Sequence, residues 1–466
     1  MKARNLVFLL IILGIIIGVG FAYFNSTPRL LSFQPEPGSE SVPAGSPLTI
    51  TFSRPMKPDS VEENLTIDPP VQGTFSWERN TLTFTPRDSW PSGETITVNL
   101  ASGSQADGLI PLALIGNQEW SFTIGRPLIA YLWPAGGVAD IYTLDPLSGN
   151  VTQLTNNPFG VLDFDINNEG TILYYSARNR NGGSDLFAFN RLSGNPQEDP
   201  IPLLDCPAAF CRSPKISPNG ELLAYERNPL PGSSESLYPQ VWVRSLQNSN
   251  SSADALAGDP DHPTRLPDWS PAGWLAFYDI AESAFVFLDP TTGETISHPN
   301  DTGEAGSWSP DSSSFVAPEI IFPATENSLE ADTASVVAPS HLYRYDLTSG
   351  TSQDLSVSPD LEDTSPVYSP NGQHLVFARK SLDPIFWTPG RQLWVMRPDG
   401  QEAHQLTEAP YFNHSNFAWS HDSRQIAYQR FNQDNPTDPP EIWLINSEGS
   451  IPLQLVIGGY APQWIP

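Results

Sequence analysis

The stretch Lys215–Arg227, KISPNGELLAYER, decides how this chain is read. An apolar run ends at Ile216, Ser217-Pro218-Asn219-Gly220 makes a tight turn, and Leu222 to Tyr225 start a second apolar run. Proline presets φ for the turn, glycine supplies a positive φ, and short polar side chains bond the local backbone. The phrase returns as NNEG (Asn167–Gly170), SPAG (Ser270–Gly273), SPDS (Ser309–Ser312), SPNG (Ser369–Gly372) and SHDS (Ser420–Ser423). A truncated copy, QWIP (Gln463–Pro466), follows.

Each copy opens a unit of four strand-like runs. After the turn come second strands such as LIAYLW (Leu128–Trp133), TILYYSA (Thr171–Ala177) and HLVFARK (His374–Lys380). Third strands include DIYTLDPLSG (Asp140–Gly149) and QLWVMRPDG (Gln392–Gly400), and TQLT (Thr152–Thr155) and HQLT (His404–Thr407) read as outer fourth strands. Units of about 40–60 residues with four strands each predict a β-propeller. We count seven blades over residues 127–466, with six or eight as the alternatives. The chain enters this region on a second strand and leaves it on an inner one, so its last strand is expected to complete the first blade and hide two edges.

An aromatic recurs in the inner strands, at Trp269, Trp308, Tyr368, Trp419 and Trp464, with Ile166 and Ile216 in the odd places. That regularity predicts packing between blades. The residues just before it (Asp165, Lys215, Asp268, Ser307 and Gln463) are candidates to line a polar central channel. Strand connections alternate between the two ends of a meander. The short turns therefore share one face and the long, irregular links share the other. Loop variation on one face is how such folds acquire a binding surface. Tyr238, Phe386, Trp387, Tyr411 and Phe412 fall in these links and are the candidate anchors, with covers for the loop bases as the competing reading.

The recurring phrase resembles the TolB-type β-propeller, a relative of WD-repeat propellers, over about residues 128–466. The resemblance implies a protein-binding rather than catalytic role. The chain departs from that family in its N-terminal module and in its seven units, so the family's partners are not carried over.

Before residue 127 the texture changes. Leu48, Ile50 and Phe52, then Phe75 and Trp77, Leu82 and Phe84, Ile96, Val98 and Leu100, and Trp120, Phe122 and Ile124 alternate with Thr, Ser or Asn. Period two marks half-buried strands, and about seven of them predict a β-sandwich over residues 26–126. Pro35–Val61, Leu65–Trp77, Leu82–Pro86 and Glu119–Ile124 resemble a bacterial Ig-like module of envelope proteins, which implies a spacer or adhesive unit.

Residues 1–25 hold an apolar run, Leu6–Phe24, preceded by Lys2 and Arg4. Its nineteen residues reach roughly 28 Å, close to a bilayer core. An uncleaved membrane-spanning anchor with the bulk of the chain outside the cytoplasm is expected, with a cleaved signal peptide as the alternative. Gly14 and Gly18 form a G-x-x-x-G pair that suits a weak helix-mediated dimer.

Net charge is −29, so nucleic acid is a poor partner. Forty-eight prolines argue against long helices. Cys206 and Cys211 are the two cysteines; outside the cytosol they are expected to close CPAAFC as a disulfide, with two free thiols as the alternative. No G-x-S-x-G, H-E-x-x-H or phosphate-binding glycine loop occurs. His414 and His421 flank one inner strand without a third ligand, and Asp163, Asp165 and Asn167 have calcium-loop spacing without its glycine or glutamate. No cofactor, metal or catalytic site is expected. The reading is a membrane-anchored, extracytoplasmic, all-β scaffold whose propeller engages a protein of the cell envelope. A glycan-binding propeller is the alternative, followed by a lyase or hydrolase with its site in the channel.

Overall fold

The protein is described from a computed structural model, over residues 27–40, 42, 44, 46–87, 90–108, 112–191, 200–232, 238–247, 254–321 and 338–465. The expected membrane anchor lies outside these residues. Among the described residues no helix is long and apolar enough to cross a membrane. The chain divides into two compact units between Arg126 and Pro127.

The first unit is a β-sandwich. One sheet orders Leu30–Gln34, Leu48–Phe52, Thr81–Pro86 and Gly73–Glu78; the other orders Leu65–Asp68, Thr95–Leu100 and Gln118–Thr123. Leu48, Ile50, Phe52, Leu82, Ile96, Val98 and Leu100 are completely buried, as period-two alternation requires. Phe75 departs from the expectation, whereas Trp77 packs against the core. Their strand is an edge, Phe75 is exposed, and Trp77 is half-buried with its indole N–H donated to Glu62 Oε1 at 2.8 Å. The central aromatic is instead Trp90, a residue outside the strands, buried edge-on to Phe122 and donating to the Ser46 carbonyl.

The second unit carries seven four-stranded blades. Blade 1 takes Leu128–Trp133, Asp140–Leu144 and Val151–Gln153 from its start and Tyr460–Ile465 from its end, with the last strand innermost. The inner strands of blades 2 to 7 are Val161–Ile166, Ala209–Ile216, Thr264–Trp269, Ser307–Trp308, Leu361–Tyr368 and Phe412–Trp419. Blades 2 and 3 are joined by a parallel bridge, Ser184 to Phe210, into one eight-stranded sheet. Gly183 sits at this joint, where a Cβ would collide with the Ala209 carbonyl. Cys206 and Cys211 form a disulfide here, and both are completely buried.

The turn phrase is explained by its hydrogen bonds. In blade 3 the Ser217 hydroxyl accepts the Leu222 N–H at 2.9 Å and donates to Asn219 Oδ1 at 2.7 Å, while Asn219 Oδ1 accepts the Glu221 N–H. Ser309 with Asp311, Ser369 with Asn371, and Ser420 with Asp422 repeat that donation. The side chains thus satisfy backbone donors that a hairpin of this length leaves open.

Candidate functional site

The ring closes through one motif carried by the inner strands. Each tryptophan of the recurring position donates its indole N–H to the blade before it. Trp269 reaches the Lys215 carbonyl (2.9 Å), Trp308 that of Asp268 (3.3 Å), Trp419 that of Val367 (3.1 Å) and Trp464 that of Ala418 (3.0 Å). Where a blade lacks the tryptophan, the link comes from the preceding blade, through the residue just before its own recurring position. Asp165 Oδ2 accepts the Ile216 N–H at 2.9 Å, and Ser307 Oγ accepts the Tyr368 N–H at 3.1 Å. Gln463 Nε2 donates to the Phe164 carbonyl at 3.1 Å, which links blade 1 to blade 2.

The channel candidates are therefore largely occupied in holding blades together. Asp165, Lys215 and Asp268 do converge: the Lys215 ammonium lies 3.7 Å from Asp165 Oδ1 and 3.8 Å from Asp268 Oδ1. Asp165 holds the Lys215 pKa above its usual range. Loss of hydration pushes Asp268 up to about 6 against the opposing pull of Lys215. The Lys215 and Asp268 side chains keep 35% and 38% of their surface accessible, so solvent screens the pair. Ser307 and Gln463 stand with their backbone partners, apart from this cluster.

A feature outside the sequence expectations lies three residues before the recurring position. Ser213, Leu266, Ser365, Asn416 and Ala461 all adopt positive φ, from 49° to 58°, at a bulge in the inner strand. At three of the five the local N–H leaves the ladder and is caught by a side chain of the preceding blade. Asp163 Oδ2 takes Ser213 N–H at 2.9 Å, Glu226 Oε1 takes Leu266 N–H at 2.8 Å and Gln429 Oε1 takes Ala461 N–H at 3.2 Å. Burial pushes Asp163 up to about 6, and its Oδ1 is buried without a hydrogen-bond partner. The signal was present in the sequence. Four of the five positions precede a proline, in SPKI, LPDW, SPVY and APQW.

Among the described residues no cluster of three or more His, Cys, Asp or Glu is arranged to hold a metal ion. His414 is buried with Nδ1 against the Arg391 carbonyl at 2.8 Å, and burial lowers its pKa to about 4. Asn167 Oδ1 accepts the N–H groups of Thr171 and Ile172, so the calcium-like spacing is a strand entering a capped turn.

The loop-rich rim has a different character. Six exposed aromatic side chains occur among the described propeller residues, Trp133, Phe159, Tyr238, Phe386, Trp387 and Tyr411. All lie on second-to-third or fourth-to-inner links, hence on this rim. Trp133 and Phe159 add to the residues expected from sequence; Trp133 ends a strand, which concealed it. Phe412 behaves otherwise. It starts the inner strand of blade 7, is half-buried, and packs on the Arg430 guanidinium, which also lies over Trp443 and pairs with Glu441. Among the expected anchors, Phe386 and Trp387 lie on a blade 6 loop that is hydrogen-bonded to the loop of Tyr411 entering blade 7, and Tyr238 is on blade 3.

Known proteins place these features in a wider setting. Residues 25–124 match the family model of a bacterial Ig-like domain. No curated protein matches the chain. Its fold is similar to a TolB from Agrobacterium tumefaciens (16% identity, TM-score 0.40), covering 72% of this chain and 91% of that one. It is also similar to a puromycin-hydrolysing peptidase from Mycobacterium tuberculosis (13% identity, TM-score 0.50), covering 90% of this chain and 57% of that one. A puromycin hydrolase shares 14% identity at TM-score 0.50, covering 71% and 52%. At these identities the likeness is one of fold.

Proposed function

We propose that the chain is a TolB-type propeller protein, tethered to the cell membrane through Leu6–Phe24, that binds a protein partner of the cell envelope outside the cytoplasm through the loop-rich rim. The observation that carries this reading is the segregation of exposed aromatics. All six on the described propeller lie on the rim. Aromatic side chains are preferred interface anchors because they bury much area at small entropic cost. The channel offers a poorer site, since its polar groups are already committed to neighbouring blades. The Cys206–Cys211 bridge is consistent with an oxidising compartment.

The experiment is photocrosslinking in native membranes from the full chain, with the photoreactive residue at Phe386 or, on the opposite face, at Glu448. A protein adduct from position 386 and none from 448 is expected, and Trp387→Ala with Tyr411→Ala abolishes it. Adducts confined to position 448 would overturn the assignment of the face.

A further inference from the structure

The geometry points to the chemistry of the partner. It is a polypeptide segment whose apolar side chains are flanked by lysine or arginine, docking on a ledge shared by blades 6 and 7. This inference rests on the rim reading above and adds charge specificity to it.

The ledge is preformed. Ile385, Phe386, Trp387 and Tyr411 are 83%, 68%, 52% and 54% exposed, on two loops that are laced together. Gly390 N–H donates to the Pro410 carbonyl at 2.9 Å, and Arg391 N–H to Asn413 Oδ1 at 3.2 Å. The Gln392 amide bonds both the N–H (2.8 Å) and the carbonyl (2.9 Å) of Ala409. A third loop is tied in by Gln433 N–H to the Tyr411 carbonyl at 2.7 Å. Gly390 is required at the junction, because a Cβ there would overlap the Phe412 carbonyl. Loops whose backbone is tied in this way lose less entropy on binding, which favours the use of the apolar side chains they carry as anchors.

The border of the ledge is acidic. Asp383 lies within the first loop and Glu408 in the second. Asp360 is placed beside Leu382 by its carbonyl, which accepts the Leu382 N–H, and Asp434 follows Gln433. Neighbouring cations do not offset these groups. Arg379 is committed to Asp363 (2.7 and 2.6 Å), Arg391 to Glu362, and Arg430 to Glu441 (2.7 Å). Lys380 remains, with its ammonium 5.7 Å over the Trp387 ring. Four acidic residues thus stand on the loops that carry or adjoin the apolar side chains, with one ammonium among them. An apolar core within a charged border is how specific interfaces are built, and the border's sign selects the partner. A second copy of the chain would bring like carboxylates together. An anionic lipid surface would meet a protein of net charge −29.

The test uses the detergent-solubilised full chain and two synthetic twelve-residue peptides of the same Trp, Phe and Leu content, one bearing four lysines and the other four glutamates. The lysine peptide is expected to bind at least about tenfold more tightly at 50 mM salt, with the difference shrinking at 500 mM. Asp360→Asn, Glu408→Gln and Asp434→Asn together should remove most of that preference. Glu294→Gln, Glu402→Gln and Glu448→Gln, equal in charge on the opposite face, should leave it intact. Trp387→Ala with Tyr411→Ala should weaken both peptides at least about tenfold while the melting temperature holds. If the opposite-face set removes the preference as fully, or the two peptides bind alike, the inference is overturned. In that case a continuing effect of the Trp387 and Tyr411 changes would leave the rim reading standing. No effect of those two changes would sink both. Binding to zwitterionic vesicles through Phe386 and Trp387, without peptide discrimination, would also overturn it in favour of a lipid surface.

Discussion

Removing Gly459–Pro466 should abolish the propeller's cooperative fold. The deletion takes away the innermost strand of blade 1, Tyr460–Ile465, and leaves Leu128–Trp133 with an open edge. Trp464 lies in a cluster with Ile129, Ala427 and Leu444 of blades 1 and 7. Ile465 packs with Ala130, Ile141 and Phe164 and so spans blades 1 and 2. Burial of these two side chains contributes about 3–6 kcal/mol. The cavity left at their sites adds about 1–2 kcal/mol. Loss of the Trp464 and Gln463 bonds to Ala418 and Phe164 costs about 1 kcal/mol each. The total, about 6–10 kcal/mol, is comparable to the whole net stability of a typical domain. Near-UV circular dichroism on heating should show either no cooperative transition or a midpoint lower by at least about 10 °C. Trp464→Ala alone should reproduce roughly half of the loss. A truncated chain that melts within about 2 °C of the full one would show that the ring does not depend on this closure.

Replacing the indole donors one at a time, as Trp269→Phe, Trp419→Phe or Trp464→Phe, should cost about 1–2 kcal/mol each in urea unfolding, because the partner carbonyl is left buried and unpaired. Reducing Cys206–Cys211 should destabilise by about 2 kcal/mol, the short-loop end of the range, while the same reductant should leave the melting temperature of the double alanine variant unchanged. Asp163 gives a pH signature. Its folded pKa, about 6, lies above the unfolded value, so its contribution to stability is present at low pH and is lost as pH rises through the folded value. Asp163→Asn should therefore stabilise the protein by about 1–3 kcal/mol at pH 8 and by less at pH 5, read from melts at the two values. Equal shifts at both would show that Asp163 is not held protonated by its burial.

Much of the architecture was legible because it rests on local chemistry repeated in register. Ser217 with Asn219, and their counterparts, announce hairpins through bonds made within five residues, and the recurring tryptophans announce the position that faces the preceding blade. The closure of blade 1 followed from counting which strand came first and which last. Phe75 stays exposed, against the expectation, because alternation reports that a strand is half-buried, not whether it is central or an edge. Trp90 escaped the pattern because a residue outside any strand has no periodicity to reveal its burial. Phe412 illustrates the same limit on the rim. Its place in sequence resembles that of Tyr411, yet as the first residue of an inner strand it turns inward onto Arg430, while Tyr411 remains exposed.

The inner-strand bulge shows how a repeated local departure can produce a global property. A regular strand would pair every second N–H and carbonyl with the next strand of its own blade. At Ser213, Leu266 and Ala461 the left-handed residue breaks that pairing and points its N–H toward the blade before it. A left-handed non-glycine residue costs of order 1 kcal/mol. The hydrogen bond it donates contributes about 0.5–1.5 kcal/mol to a neutral acceptor such as Gln429 and about 1.5–3 kcal/mol where the acceptor is a carboxylate, as at Glu226. The balance favours the bulge where a charged acceptor waits. It also couples these three inner strands to side chains encoded some 30 to 50 residues earlier. The proline that follows four of the five bulges fits the same economy, since a residue without an N–H leaves no further donor unpaired at the break. The ring thus gains cohesion at the channel through groups that do not face the rim, which leaves the rim's loops free to vary and to carry exposed aromatics that the fold itself does not need.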